Sequence, residues 1–304
     1  MTTKELAPLK VLPVANTLGE SVLYDDRTDS IWWTDIKGRE LFCYSLGTDN
    51  LLRWQPPAGI ASLGLTTVPG WLIVAFIDSI ALYHPERSEV LTLAQPERDL
   101  PGNRFNDGRV DRQGRFWVGS MAENTALNPP QSSASLYRVD PNGKITQALD
   151  GLQISNGLSW SPCSQWLYHA DSPTGEITRF AFDHANGHIN TGQAWAQTPQ
   201  GCSPDGATVD AQGGLWSAHW GGHCVVRYTP QGLEDFRITL PVSQPTCVAL
   251  GGHEASLLFV TSAKDGLTDK QKQAQPQAGH LFIFRVGKTG LPEPRYQAEN
   301  LLFS

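Results

Sequence analysis

Apolar residues along this chain fall in short alternating or continuous runs, each closed by Gly, Pro, Asn or Asp, and no long stretch carries the three- and four-residue spacing of a capped amphipathic helix. The pattern predicts many short strands. One run recurs with a bulky residue inside it: "SIWWTDI", "GWLIVAF", "GRFWVGS", "QWLYHAD", "GLWSAHW" and "SLLFVTS". Each is followed by a second run centred on an aromatic residue, Tyr44, Tyr83, Tyr137, Phe180, Tyr228 and Phe284 in turn. Each is preceded by a third: "GESVLYDD", "ASLGLTTV", "FNDGRVDR", "SNGLSWSP", "PDGATVDA" and "PTCVALGG". Segments such as "LLRWQPP", "EVLTLAQP" and "FRITLPV" supply a fourth strand. Copies recur roughly every 40 to 55 residues, the period of four-stranded propeller blades. The predicted fold is all-β, a six-bladed β-propeller with four antiparallel strands per blade, forming a single domain over residues 1–304. The N-terminal "PLKVLPVA" has no blade of its own and is expected to close the ring by joining the last blade, which removes an open sheet edge. Two stacked β-sandwiches would also use short strands, but would not produce six copies of one unit.

Aligned on their turns, the six leading strands place Glu20, Ser62, Asn106, Asn156, Asp205 and Thr246 at one depth. In a propeller these innermost strands line the central channel, so equivalent positions form a ring. All six side chains carry oxygen, where a strand entering a core normally presents an apolar residue. Glu20 and Asp205 supply carboxylates, and Asn156, with Asn106 as a further candidate, supplies an amide oxygen. Such a set suits one divalent cation. The oxygen donors favour Ca²⁺ and leave Mg²⁺, Mn²⁺, Fe²⁺ and Zn²⁺ open. Taken singly, Asn and Asp also start turns, and Asp107, beside Asn106, is read as a turn cap. Strand direction puts Arg104 and the segments 35–39, 122–133, 171–175, 219–223 and 264–278 around the mouth of the channel. Loops on one face of a rigid scaffold are where function concentrates.

Composition narrows the partners. With 23 basic against 30 acidic residues the chain carries a net charge of -7, which disfavours nucleic acid and anionic membrane surfaces. The start, "MTTKELAPLK", has no basic region followed by an apolar run, so no signal peptide is read. The longest apolar run, residues 71–77, is too short to span a bilayer. Five scattered cysteines without a C-x-x-C pair read as free thiols in a cytoplasmic protein.

The motifs "LGESVLYDDRTDSIWWTDI", "NRFNDGRVDRQGRFWVGSMAE", "ISNGLSWSP", "PDGATVDAQGGLWSAHWGG" and "AKDGL…AGHLF" resemble, in order and over almost the entire chain, the regucalcin/gluconolactonase (senescence marker protein) family. "AHWGG" is more similar to its bacterial sugar-lactonase branch. The resemblance implies a six-bladed propeller, one divalent metal in the channel held by Glu20, Asn156 and Asp205, and hydrolysis of sugar lactones. It implies that Arg104 and Asn106 bind substrate, as does the stretch after Met121-Ala122, where the family carries an acidic pair. Here that pair is Glu123-Asn124, so an amide stands at the second acid's position. A non-catalytic calcium-binding propeller and a same-fold esterase or phosphotriesterase are the alternatives.

For lactone opening, Asp205 is the expected proton acceptor and Arg104 the group that orients hydroxyls or steadies a developing oxyanion. Asn106 is expected to bond substrate or water. Arg104, Lys37 and Asn124 make the mouth polar and suit a polyol. The expected partner is thus a small sugar lactone, and the expected state a monomer or weak homodimer. His219 and His223 flank two glycines, which argues against a helical zinc pair. His219 and Trp220 are candidates for pocket lining or packing, and His169 is read as structural. Ser155 and Ser203 lack a G-x-S-x-G context, so a serine nucleophile is not expected. The polar segment 264–278 is either a lid or a solvated loop.

Overall fold

A computed structural model describes residues 6–124, 126–127 and 132–303 of the chain; within the expected mouth segment 122–133, positions 125 and 128–131 lie outside the described residues. Nearly all regular structure is strand, arranged as six small sheets. Their innermost strands are Gly19–Asp25, Ile60–Thr66, Asn103–Val110, Ser155–Trp160, Ser203–Val209 and Pro245–Gly251, which define blades 1 to 6. Each innermost strand touches those of the two neighbouring blades, and blade 6 meets blade 1, so the ring is closed. This is the six-bladed propeller with four strands per blade that the repeat predicts. The bulky-residue runs form the second strands, for example Phe116–Ala122 and Leu215–Trp220.

The strand patterns explain the radial order. Innermost strands such as Ile60–Thr66 are buried at every position, because both faces meet neighbouring blades. Outer strands such as Glu89–Ala94 are largely exposed. The core is divided accordingly into six apolar clusters, one at each junction between adjacent blades. At the junction of blades 3 and 4, for instance, Trp117 and Leu136 pack against Leu158, Trp160 and Phe180.

The D-x-x-G turns anchor this packing. One carboxylate oxygen of Asp210 accepts from the backbone N–H of Gln212 and Gly214, and the other from Trp216 Nε1 at 2.9 Å and Arg227 Nε at 2.6 Å. Asp111 repeats the device with Gln113, Arg115 and Trp117 Nε1. The acid thus closes the turn and fixes the indole of the strand that follows, the polar end of Trp being satisfied where its ring is buried.

Both chain ends close the ring. Lys10–Leu12 pairs antiparallel with Leu281–Arg285 as the outermost strand of blade 6, as expected from "PLKVLPVA". The C-terminal segment does what the pattern did not announce. It runs across the base of the channel and adds Arg295–Tyr296 parallel to the far end of Ile60–Thr66, giving blade 2 a fifth strand. Tyr296 is fully buried and donates to the carbonyl of Asp140 in blade 3 at 2.8 Å. The segment 264–278 contains a short helix, Asp269–Ala274, with a Thr268/Gln271 capping box and no buried residue.

Replacing Asp210 with Ala leaves an indole N–H and two backbone N–H groups without their acceptor and takes from the buried Arg227 one of its two carboxylate partners, Asp235 being the other. We expect a loss of about 3–5 kcal/mol in urea unfolding, whereas Ala at the almost fully exposed Asp269 should stay within about 0.5 kcal/mol.

Candidate active site

The site begins with a backbone irregularity shared by all six blades. In every innermost strand the pairing register to the second strand shifts near the ring position: between Glu20 and Leu23, Ile60 and Ser62, Phe105 and Gly108, Asn156 and Ser159, Pro204 and Ala207, and Pro245 and Val248. A β-bulge re-aims side chains and frees the local backbone from its ladder. After Glu20 and Asn156 the chain turns left-handed, at Ser21 with φ of 53° and at Gly157 with φ of 68°. Glycine meets that requirement without steric cost.

The bulges do not send all six side chains to one place. Glu20, Asn106, Asn156 and Asp205 line a cup of about 410 Å³ at one end of the channel. Ser62 and Thr246, expected in the same ring, are fully buried outside it. Thr246 bonds to the carbonyl of Gly19 and to Thr261, so its hydroxyl joins blade 6 to blade 1. Each expected mouth segment contributes to the wall: Lys37, Arg104, Glu123, Ser172 with Pro173, Trp220, and Asp265. Leu18, Met121 and Ile154 make much of that wall apolar, so the mouth is less uniformly polar than the sequence suggests.

A chain of hydrogen bonds orients the polar residues. Arg104 Nε donates to Glu123 Oε1 at 3.0 Å, and its Nη1 donates to Asn106 Oδ1 at 2.9 Å. That turns Asn106 Nδ2 toward the carbonyl of Ser155 at 3.0 Å and Asn156 Oδ1 at 3.1 Å. Asn156 Nδ2 in turn donates to Ser172 Oγ at 2.8 Å, whose hydroxyl donates to the carbonyl of Pro204 at 2.7 Å. The relay crosses blades 3, 4 and 5 and uses one of the two lone pairs on Asn156 Oδ1. It uses one lone pair of Asn106 Oδ1 as well, so each of the two amide oxygens keeps one lone pair free.

Two adjacent residues part ways here. Glu123 lines the cup, while Asn124 points into its own turn, its Oδ1 accepting from Ala126 N–H at 3.2 Å. Asp107 also departs from expectation. Rather than only capping its turn, it is half-buried with its Oδ2 accepting from Leu158 N–H of blade 4 at 3.0 Å. Sequence pattern could not reveal this, because the partner is a backbone group in another blade.

Electrostatics set the floor of the cup apart. Burial, reinforced by the charge of Asp107, pushes the Glu20 carboxyl up to about 8 against the pull of Ser21 N–H and Arg104. Burial and then the neighbouring Glu20 and Asp107 charges hold Asp205 well above the usual carboxylate range. Among the described residues neither Glu20 nor Asp205 has an ion-pair partner; Arg104 is committed to Glu123 and Arg109 to Glu293. Buried carboxylates without a counter-charge are costly, and a cation relieves that cost. Among the described residues no three His, Cys, Asp or Glu side chains gather as a metal cluster. The donor set is two carboxylates and the Asn156 amide, which fits a hard, oxygen-seeking ion.

The histidines stand behind the wall. His169 Nε2 bonds Ser155 Oγ at 2.8 Å, and burial holds its ring down to about 4. His219, fully buried, bonds Tyr228 Oη at 3.2 Å, while its neighbour Trp220 faces the cup. All five cysteines are free. Among the described residues no helix is long and apolar enough to cross a membrane.

Fold and cup define a six-bladed propeller with an acid-floored site at one end of its channel. Residues 18–264 match the model of the SMP-30/Gluconolactonase/LRE-like region. The chain is 36% identical over 286 residues to an L-arabinolactonase of Azospirillum brasilense, covering 92% of each. It is 33% identical over 281 residues to regucalcin of Gallus gallus, covering 90% of this chain and 93% of that one. The crystal structure of a calcium-binding protein, regucalcin, from Agrobacterium tumefaciens strain C58 superposes with a TM-score of 0.91 at 29% identity, over 98% of this chain and 99% of the other. The chain belongs to the SMP-30/gluconolactonase family.

Burial of His219 has a measurable consequence. Its folded value near 4 lies below the ordinary 6.5, so between these limits the unfolded chain binds a proton that the native ring refuses. Stability contributed by the neutral ring is present above about pH 6.5 and falls with acidification toward pH 4. Urea midpoints of His219→Asn should therefore decline less than wild type from pH 6.5 to 4.5, the carboxylates common to both cancelling. Parallel curves would contradict the assignment.

Proposed function

We propose that this protein hydrolyses small sugar lactones to the corresponding aldonic acids with the help of one divalent cation, Ca²⁺ being the ion its oxygen donors favour. The observation that carries the reading is the Glu20 and Asp205 carboxylates, without an ion-pair partner among the described residues, beside the Asn156 amide at the floor of a cup rimmed by Arg104. Kinship with a protein named L-arabinolactonase supports the lactone, and kinship with a calcium-binding regucalcin supports the cation.

Glu20, Asn156 and Asp205 would hold the ion. When bound, it supplies Lewis acidity toward a carbonyl oxygen and lowers the pKa of a nearby water. The chain's own residues then divide the remaining work. Asp205 accepts a proton from the attacking water as its oxygen bonds to the lactone carbonyl carbon. Arg104, held by Glu123 and Asn106, presents guanidinium N–H groups to substrate oxygens and steadies charge that develops on them. The ring C–O bond breaks, and its oxygen leaves as a hydroxyl by taking the proton that Asp205 had accepted. Asn106 holds Arg104 and Asn156 in register with one another. Trp220, Pro173 and Met121 offer the apolar surface on which the C–H face of a sugar ring rests, while Lys37 and Asp265 bracket the opposite rim with an ion pair at 2.9 Å.

Three outcomes test this. Purified protein should open aldonolactones in a pH-indicator assay, lose activity on EDTA treatment and regain it with Ca²⁺ or Mn²⁺; metal binding without turnover on a lactone panel would favour a non-catalytic calcium-binding propeller. Asp205→Asn should lower kcat by at least about 100-fold. Glu123→Gln should raise KM by about tenfold as Arg104 loses its charged partner, whereas Asn124→Ala should leave kinetics unchanged. Equal effects at the two positions would show that Glu123 is not the substrate-side residue.

A further inference from the structure

The C-terminal segment at the base of the channel contributes Glu293, which sits between Pro292 and Pro294. Pro294 restricts Glu293 to an extended backbone, and neither proline offers an N–H to another partner. The segment is fastened on both sides: Gly290 N–H donates to the carbonyl of Ala255 in blade 6, Ala211 N–H in blade 5 donates to the carbonyl of Thr289, and Arg295–Tyr296 pairs with blade 2. Glu293 is thereby presented upward into the channel. It meets Arg109 of blade 3 as a fork, Nε to Oε1 at 3.1 Å and Nη2 to Oε2 at 3.3 Å, with both side chains only 12% exposed.

The remaining arm of that guanidinium, Nη1, donates to the carbonyl of Ala207 in blade 5. Ala207 is where the ladder of Ser203–Val209 resumes after the bulge that carries Asp205. Its carbonyl lies on the inner edge of the sheet, where no strand pairs with it. Two residues earlier on the same strand as Arg109, Asp107 makes the matching contact to Leu158 N–H, two residues beyond Asn156. Blade 3 thus clamps the backbone just behind two of the three candidate ligands, and Glu293 fixes the orientation of one clamp.

We infer that Glu293 of the C-terminal segment is a positioning residue of the active site: through Arg109 and the carbonyl of Ala207 it holds the bulge that presents Asp205 and sustains the affinity of the cup for a divalent cation. The inference rests on the metal-site reading above. Its test is calcium titration calorimetry on the full chain, alongside kcat and KM on an aldonolactone. Glu293→Gln should bind Ca²⁺ at least about tenfold more weakly and lose kcat in step, with KM changed much less, as for other groups that orient metal ligands. Glu299→Gln is the control. It neutralises another acid of the same segment, one that accepts from Thr67 Oγ1 at 2.8 Å at the periphery, and should leave both quantities within about twofold. Should Glu293→Gln fail to fold, the double replacement Arg109→Met with Glu293→Met removes both charges together and should fold yet still bind Ca²⁺ weakly. Wild-type affinity in whichever of these variants folds, or equal losses in Glu299→Gln, would overturn the inference while leaving the metal site intact. Failure of the wild-type protein to bind any divalent ion would overturn the metal reading and this inference together.

Discussion

Six sheets meet around an axis, and each turns one strand edge toward it. Apart from the end of blade 2 that pairs with Arg295–Tyr296, those edges carry backbone N–H and C=O groups with no strand beside them, and unpaired buried groups of this kind are costly. Much of what is distinctive about this molecule is the answer to that constraint. Side chains of one blade satisfy the inner edge of the next: Thr246 bonds the carbonyl of Gly19, Ser21 Oγ accepts from Leu63 N–H, Asn106 bonds the carbonyl of Ser155, Asp107 accepts from Leu158 N–H, and Ser172 bonds the carbonyl of Pro204. The ring is therefore held by polar stitching along its axis and by apolar clusters between its blades.

The same stitching builds the cup. Residues able to reach a neighbour's inner edge must be polar, and the bulges that aim them there leave some facing the channel instead. Among the described residues Glu20 and Asp205 have no ion-pair partner, only backbone N–H groups, and burial raises both far above the usual carboxylate range. Stability and chemistry pull against one another at these two positions. An enzyme tolerates such a cost where a bound ion or substrate recovers it.

Closure of the ring draws on both ends of the chain, in different ways. The N-terminal strand completes an outer sheet edge, a task any alternating segment of the right length can perform. The C-terminal segment spans the base and touches blades 2, 3, 5 and 6, with Arg295 reaching Asp25 of blade 1. Its contacts are with individual side chains and single carbonyls, so its role depends on residue identity rather than on pattern.

The division between sequence and tertiary structure follows from this. Blade number and strand order were legible because each blade is local and the unit repeats sixfold, and a repeat exposes its own alignment; the N-terminal strand was legible as the segment left over. The alignment likewise brought Glu20, Asn106, Asn156 and Asp205 to one depth. It could not separate them from Ser62 and Thr246, because a bulged residue faces the channel or the adjacent blade according to which inner-edge group lies within reach. Asp107, read as a turn cap, answers to Leu158 N–H; Glu123 and Asn124, neighbours in sequence, diverge because only one can reach Arg104. "LPEPRY" carries no strand pattern, yet it places Glu293 under Arg109 and lays Tyr296 against blade 2. The sequence by itself determined the periodic, local part of this protein. Contacts between different blades, or between a blade and the C-terminal segment, were decided only when the ring closed and set which unpaired backbone groups stood opposite which side chains.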